Sequence, residues 1–323
     1  MIMPRFKAIT LLLSLATLSA TAFGQTANSA SPGTLNYIEG QASIEGRSLS
    51  SQSVGNTKLE AGQVLATANG KAEILLTPGI FLRLGNDSTV QMVSTDLTHT
   101  EVKLEQGRAN VEVDQIYPQN TILVDLKNGQ TQLLKNGLYA FDAANATVRV
   151  FDGKAAVYPG ANLQANVKPV DVKGGHQLVL NGEPIKPQGF NKDQAKTDPL
   201  YKWSSLRSNY LGEANLNLAE EYAGYSGFYP GWYWAGGPFG YTWLPGDGLF
   251  WNPFGYGFYS PYYLYGGGFI YGRYGRGIYP YRGGFGYRGG AAGFRGGTVH
   301  GNASAGFHGG GGGFHGGGGG GHR

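Results

Sequence analysis

Ala109-Asn110-Val111-Glu112-Val113 alternates apolar and polar side chains at every step, which is the period of a β-strand with one face turned to a core. Thr147-Val148-Arg149-Val150-Phe151 repeats the pattern. Outward from these two, the same short β-type runs recur at Leu35–Glu45, Lys71–Leu76, Phe81–Leu84, Thr89–Val93, Glu101–Leu104, Thr121–Val124, Thr131–Leu134, Tyr139–Asp142, Ala155–Tyr158 and Gln177–Leu180. Between them lie Pro78-Gly79, Gly85-Asn86-Asp87, Lys127-Asn128-Gly129, Lys135-Asn136-Gly137 and Phe151-Asp152-Gly153. Asn-Gly and Asp-Gly allow the positive φ angles that hairpin turns need. Strands at this spacing with no helical period among them predict an all-β domain over residues 35–180, a sandwich, barrel or solenoid-like sheet.

The rest of the chain differs in composition. Residues 181–197 hold several breakers and no periodicity, and read as a linker. Asp198-Pro199 then predicts a helix over 198–222, with Asp198 as N-cap, Pro199 in its first turn and Gly224 as its stop. Trp203, Leu206, Tyr210, Ala214 and Leu218 stand three or four apart and form its apolar stripe. Beyond Ala223 lie about two thirds of the 56 glycines. Glycine loses the most backbone freedom on ordering, so the folding unit is expected to end before about Tyr222. Residues 223–271 are rich in Tyr, Trp, Gly and Pro; residues 272–323 form an Arg/Gly/His-rich tail expected to be disordered.

The N-terminus reads as an export signal. Arg5 and Lys7 precede the apolar run Ala8–Leu18, and Ala22-Phe23-Gly24 is a small-residue cleavage site before Gln25. Residues 1–24 are therefore expected to be a signal peptide and 25–34 a flexible leader, placing the mature protein in the periplasm, at the outer membrane or outside the cell. The absence of cysteine excludes disulfides, thiolate metal sites and a thiol nucleophile.

With these elements placed, the β-region resembles the FecR domain. Gly40-Gln41-Ala42-Ser43-Ile44, Leu59–Thr67 and Gly70–Leu76 look like its opening. Pro78–Leu84, followed by Asn86, Ser88, Val90 and Met92, is similar to its central strand pair. Leu104–Val111 and Val150–Val157 resemble its repeated step of a glycine followed by a short strand. The resemblance implies a periplasmic all-β module. Its best-known members relay signals from an outer-membrane receptor to a sigma factor.

Chemistry is sparsely signalled. His99 and His176 have no triad partners within a recognisable motif, and both read as ordinary surface histidines. Glu101, Glu105, Glu112, Asp114 and Asp125 have the spacing of the polar faces of strands. No catalytic residue and no cofactor are assigned, and the protein is expected not to be an enzyme. His300, His308, His315 and His322, set in glycine, are weak metal-ligand candidates. In the tail Tyr271, Arg273, Tyr274, Arg276, Tyr279, Tyr281, Arg282, Phe285, Tyr287, Arg288, Phe294 and Arg295 interleave aromatic rings with guanidinium groups. Such groups attract one another by stacking and cation–π contact, and they also stack on sugar rings. The sequence thus predicts a non-enzymatic envelope binding protein whose tail self-associates or attaches to an envelope protein or polysaccharide. Nucleic acid is not expected as a partner. The competing reading is an accessory in cell-surface signalling related to sigma-factor regulation.

Overall fold

Every one of the alternating runs carries a strand in the structure, a computed structural model that describes residues 30–165, 167–181 and 185–265. Residues 1–24, read as a signal peptide, and residues 266–323, with all of the histidine, arginine and aromatic candidates of the tail, lie outside the described residues. The β-domain comprises β1 (Leu35–Ile44), β2 (Arg47–Ser48), β3 (Val64–Leu75), β4 (Ile80–Leu84), β5 (Thr89–Thr95), β6 (His99–Gln106), β7 (Arg108–Val113) and β8 (Thr121–Leu126). It continues through β9 (Gly129–Leu133), β10 (Gly137–Asp142), β11 (Thr147–Asp152), β12 (Lys154–Pro159), β13 (Val170–Lys173), β14 (His176–Val179) and β15 (Gln188–Gly189).

These strands form one hydrogen-bonded sheet in the order β13-β12-β9-β8-β6-β5-β3-β4-β7-β10-β11-β14-β15, with β1 also on β3 and β2 on β1. The β6–β8 pair is parallel and the other pairs are antiparallel. The sheet folds over at β3. Its residues 64–66 pair with β5, and its residues 72–75 pair with β4. Inward side chains of one half (Met92, Val102, Val124, Leu133) and of the other (Leu82, Val111, Phe141, Val148) share a single core. The corner needs glycine. A Cβ on Gly70 would lie 2.4 Å from the Gln41 nitrogen, and one on Gly40, at φ +72°, would lie 2.2 Å from the Asn69 oxygen.

The turn signals divide into two kinds. Pro78-Gly79 and Lys127-Asn128-Gly129 join strands that pair with each other, as hairpins do. Gly85-Asn86-Asp87, Lys135-Asn136-Gly137 and Phe151-Asp152-Gly153 instead carry the chain from one half of the sheet to the other, because the flanking strands are not partners. Both jobs need the same tight, positive-φ backbone, so the dipeptides alone do not separate them.

The chain then forms α1 (Lys192–Ala195) within the stretch read as linker, and α2 (Pro199–Glu221). Asp198 caps α2 as expected, accepting from the Leu200 and Tyr201 amides at 2.8 and 3.2 Å. The buried face of α2 is not the expected stripe. Leu206 and Tyr210 are 49% and 42% exposed, whereas Arg207, Ser208 and Asn215 are buried with Trp203, Leu211 and Ala214. The helix docks by its polar groups because the sheet face beneath it is charged.

The folding unit does not end before Tyr222, contrary to the expectation from glycine content. β16 (Gly231–Trp234) pairs with β17 (Tyr241–Leu244), β18 (Leu249–Trp251) pairs with β19 (Gly257–Tyr259), and α3 (Pro261–Tyr263) closes the described chain. Tyr241, Trp243 and Phe258 form a second core with Leu75 and Phe81 of the sheet and Leu211 of α2. Phe81 meets Trp232 edge-on at 4.9 Å, and Trp243 meets Phe250 at 5.1 Å. Each such ring buries ~150–250 Å², enough to offset the glycines between them. No helix among the described residues is long and apolar enough to cross a membrane.

Candidate interaction site

The second half of the sheet turns polar side chains outward, away from the shared core. Alternation requires this: with Val111 inward, Asn110 and Glu112 must point out. Register then sets Glu73 opposite Arg83 across β3–β4, and Arg83 opposite Asn110 across β4–β7. All of these residues are buried, because α2 and the aromatic segment lie over them.

Each charge has named partners. Arg83 donates from Nε to Glu73 Oε2 at 2.6 Å and from Nη1 to Glu112 Oε2. Arg207 of α2 donates from Nη2 to Glu73 Oε1 at 2.8 Å and to the Phe239 carbonyl at 2.9 Å, with its guanidinium 4.1 Å from the Tyr37 ring centre. Asn36 donates to the same Glu73 oxygen at 2.8 Å and accepts from the Tyr241 amide at 2.6 Å. Glu112 also accepts from the Ser208 hydroxyl and, at 2.8 Å, from the Asn252 amide group. Asn215 joins the helix to both late hairpins, donating to the Trp243 carbonyl at 2.8 Å and accepting from the Tyr259 amide at 2.7 Å.

Burial pushes the Glu73 carboxyl up, but the Arg207 and Arg83 charges outweigh it and hold it at about 2. Burial also opposes the charge of Arg83, and Glu112 and Glu73 more than restore it. Asp114 behaves oppositely: burial, then the charge of Glu112, lifts its carboxyl well above the usual carboxylate range. Sliding α2 by one turn would strand buried ions, so the polar layer fixes the position of the helix more than it adds stability.

That position frames a groove at the α2 N-terminus. Asn110, Ala140, Arg149 and Gln177 are register partners in a row across β7, β10, β11 and β14. Arg108, Asp142 and Thr147 form the next row. Asp198, Leu200 and Tyr201 of the helix start rise beside them, and together these residues enclose a hollow of about 280 Å³. Arg108 is ion-paired with Asp198, so the helix cap is also a wall of the groove. A second hollow, lined by Phe190, Asn191 and Gln194, continues it past Arg149 and Gln177.

The structure separates the carboxylates that the sequence groups together. Glu112 and Asp114 are buried, not on a solvated strand face, and Glu112 lies under α2, where it accepts from Ser208. Glu105 is exposed and pairs with Lys103 at 3.2 Å. Glu101 and Asp125 lie on the other half of the sheet, where burial and then hydrogen bonding with Glu101 raise Asp125 to about 7. His99 contacts Glu101 at 3.0 Å, and His176 is exposed on β14. Among the described residues no group of His, Asp and Glu side chains is arranged to hold a metal ion. None of the groove residues was singled out as a site from the sequence, where Asp198 reads only as a helix cap; the other signal is that Arg149 and Asn110 occupy the outward positions of the two clearest strands.

Two solved structures, each of a proposed anti-sigma factor from Parabacteroides distasonis, are similar to this chain at 16% and 15% identity, with TM-scores of 0.34 and 0.32. The likeness covers 42% and 44% of this chain and 64% and 62% of those, so the chain spans less than two thirds of either. No curated protein matches. Residues 62–156 match the FecR protein family. The resemblance that the sequence extends over 35–180 is thus matched from just before β3 into β12, and the chain carries a FecR domain there, with α2 and the aromatic segment beyond it.

Proposed function

We propose that the protein is a non-enzymatic binding module of the bacterial cell envelope, exported by residues 1–24, which receives its partner in the groove beside α2. The observation that supports this best is a division of labour among polar side chains. Glu73, Glu112, Arg83 and Arg207 are spent on holding α2 and the aromatic segment, while the polar groups of the groove line an open hollow. Glu73, held at about 2, has no proton to exchange near neutral pH. The aromatic and arginine-rich tail then attaches the module to envelope protein or polysaccharide, or to further copies of itself.

The FecR match favours a second reading, in which the same domain is an accessory in sigma-factor signalling and contacts an outer-membrane receptor. One experiment addresses both. A photo-cross-linking residue is placed in the full-length protein at Asn145, on the groove rim, or at Lys103, on the opposite half of the sheet. The first reading expects envelope adducts from position 145 and none from 103. An outer-membrane receptor as the adduct supports the signalling reading, and equal adducts from both positions would overturn the assignment of the groove.

A further inference from the structure

The chemistry of the groove specifies a class of ligand. Its floor is shaped by Ala140, which stands between Asn110 on β7 and Arg149 on β11. A methyl group between longer neighbours makes the hollow. The surrounding groups are planar and already fixed. Arg149 donates from Nε to Gln177 Oε1 at 3.0 Å and lies 5.0 Å over the Phe190 ring. Asp142 accepts from the Asn145 amide and side chain at 3.0 and 2.8 Å. Asn110 donates to the Ser204 hydroxyl at 3.0 Å. The apolar wall comes from Phe151 and Tyr201, whose rings are 5.1 Å apart and tilted by 43°.

The charges balance, since Arg108 and Arg149 face Asp142 and Asp198. An anionic ligand would need surplus positive charge, and Arg108 already has its counter-ion. A wholly apolar ligand would take water from the remaining donor and acceptor positions of the amides and carboxylates without replacing its hydrogen bonds. The remaining match is a neutral ligand with an apolar face and a rim of groups that both donate and accept hydrogen bonds. A sugar ring has this form: its C–H face packs on aromatic carbon, and each hydroxyl is donor and acceptor at once. The second hollow beyond Arg149 offers room for further rings of a chain.

We infer that the groove over Ala140 binds a neutral saccharide, held by Arg149, Asp142 and Gln177 and packed against Tyr201 and Phe151. This rests on the proposed binding role and names the ligand class for the same groove. The test is calorimetric titration of the full-length protein with chitotetraose, maltotetraose and inorganic phosphate. Ala140→Leu fills the hollow without altering charge, and Arg149→Gln removes the charge while keeping an amide. Glu105→Ala, on the other half of the sheet, is the control, and thermal unfolding checks that each variant is folded. The inference expects at least one tetrasaccharide to bind, about tenfold or more weakly with Ala140→Leu and with Arg149→Gln, and unchanged with Glu105→Ala. It is overturned if neither tetrasaccharide binds at millimolar concentration, if phosphate alone binds, or if folded Ala140→Leu binds as the parent does. Adducts from position 145 in cells together with no tetrasaccharide binding would sink the saccharide assignment and leave the binding role standing.

Discussion

Arg83 pairs with both Glu73 and Glu112 in a buried layer, where Arg207 is the second cation on Glu73. Replacing Arg83 with Met leaves Glu112 buried with no cationic partner and Glu73 with Arg207 alone. Breaking a buried ion pair from one side costs about 3–5 kcal/mol, so Arg83→Met should lower unfolding stability by that order in denaturant titration. A loss no larger than that of an exposed pair such as Lys103–Glu105 would contradict the burial described. Asp125 tests the opposite sign. Its carboxyl is raised to about 7 in the folded protein, so the group is neutral and costs nothing at acid pH. Its ionisation opposes folding increasingly as pH rises from its unfolded value of about 3.9 toward 7. Asp125→Asn should therefore raise the melting temperature at about pH 8 and leave it nearly unchanged at about pH 3. The partner Glu101, Lys103 across the strand and Gln130 face this site, and all remain in the variant. The acid-side dependence of Glu73 runs the other way: the stability it contributes is complete above about pH 4.5 and is lost as pH falls toward 2.

At the scale of elements, α2 couples the groove to the interior. Asp198 caps the helix through two amides and holds Arg108 at the groove wall. Asp198→Ala should cost about 1 kcal/mol for the lost cap and should also free Arg108. Asp198→Asn keeps the cap and removes the charge; a stability loss equal to that of Ala would show that the ion pair, not the cap, carries the effect. This helix also shows what a sequence can and cannot disclose. Asp198 and Pro199 announced its start, and the strands announced themselves by period, because both signals are local. Which face of α2 lies down was not legible. The stripe through Leu206 and Tyr210 is the more apolar one, and the face that docks is chosen by Glu73 and Glu112. Arg207 reaches Glu73 across 134 positions of sequence, and Asn252 reaches Glu112 across 140. In Ala109–Val113 the alternation located the core side correctly, but Glu112 reads as a solvated residue until its cover is known. The groove was illegible for the same reason: its rows exist only once four strands are in register.

At the scale of the whole molecule, the described chain is a folded-over β-sheet whose outer face is roofed by a helix and two aromatic hairpins. Glycine content argued against order beyond Tyr222, and for the stretch up to Tyr265 the buried rings outweigh it. Tyr241, Trp243 and Phe258 are almost completely buried, and Gly240, at φ +77°, is packed so closely that a Cβ would lie 2.4 Å from the Asn36 oxygen. Glycine there serves close approach of β17 to β1. The FecR domain, α2 and the aromatic hairpins thus fold as one unit joined by the polar layer. Hydrogen exchange of the full-length protein, read by mass spectrometry, decides whether they do. In a single unit the amides of Tyr241–Leu244 are protected as strongly as those of Ile80–Leu84 and Arg108–Val113, and Arg83→Met weakens all three together. Complete exchange of residues 231–259 while residues 80–113 stay protected would contradict it.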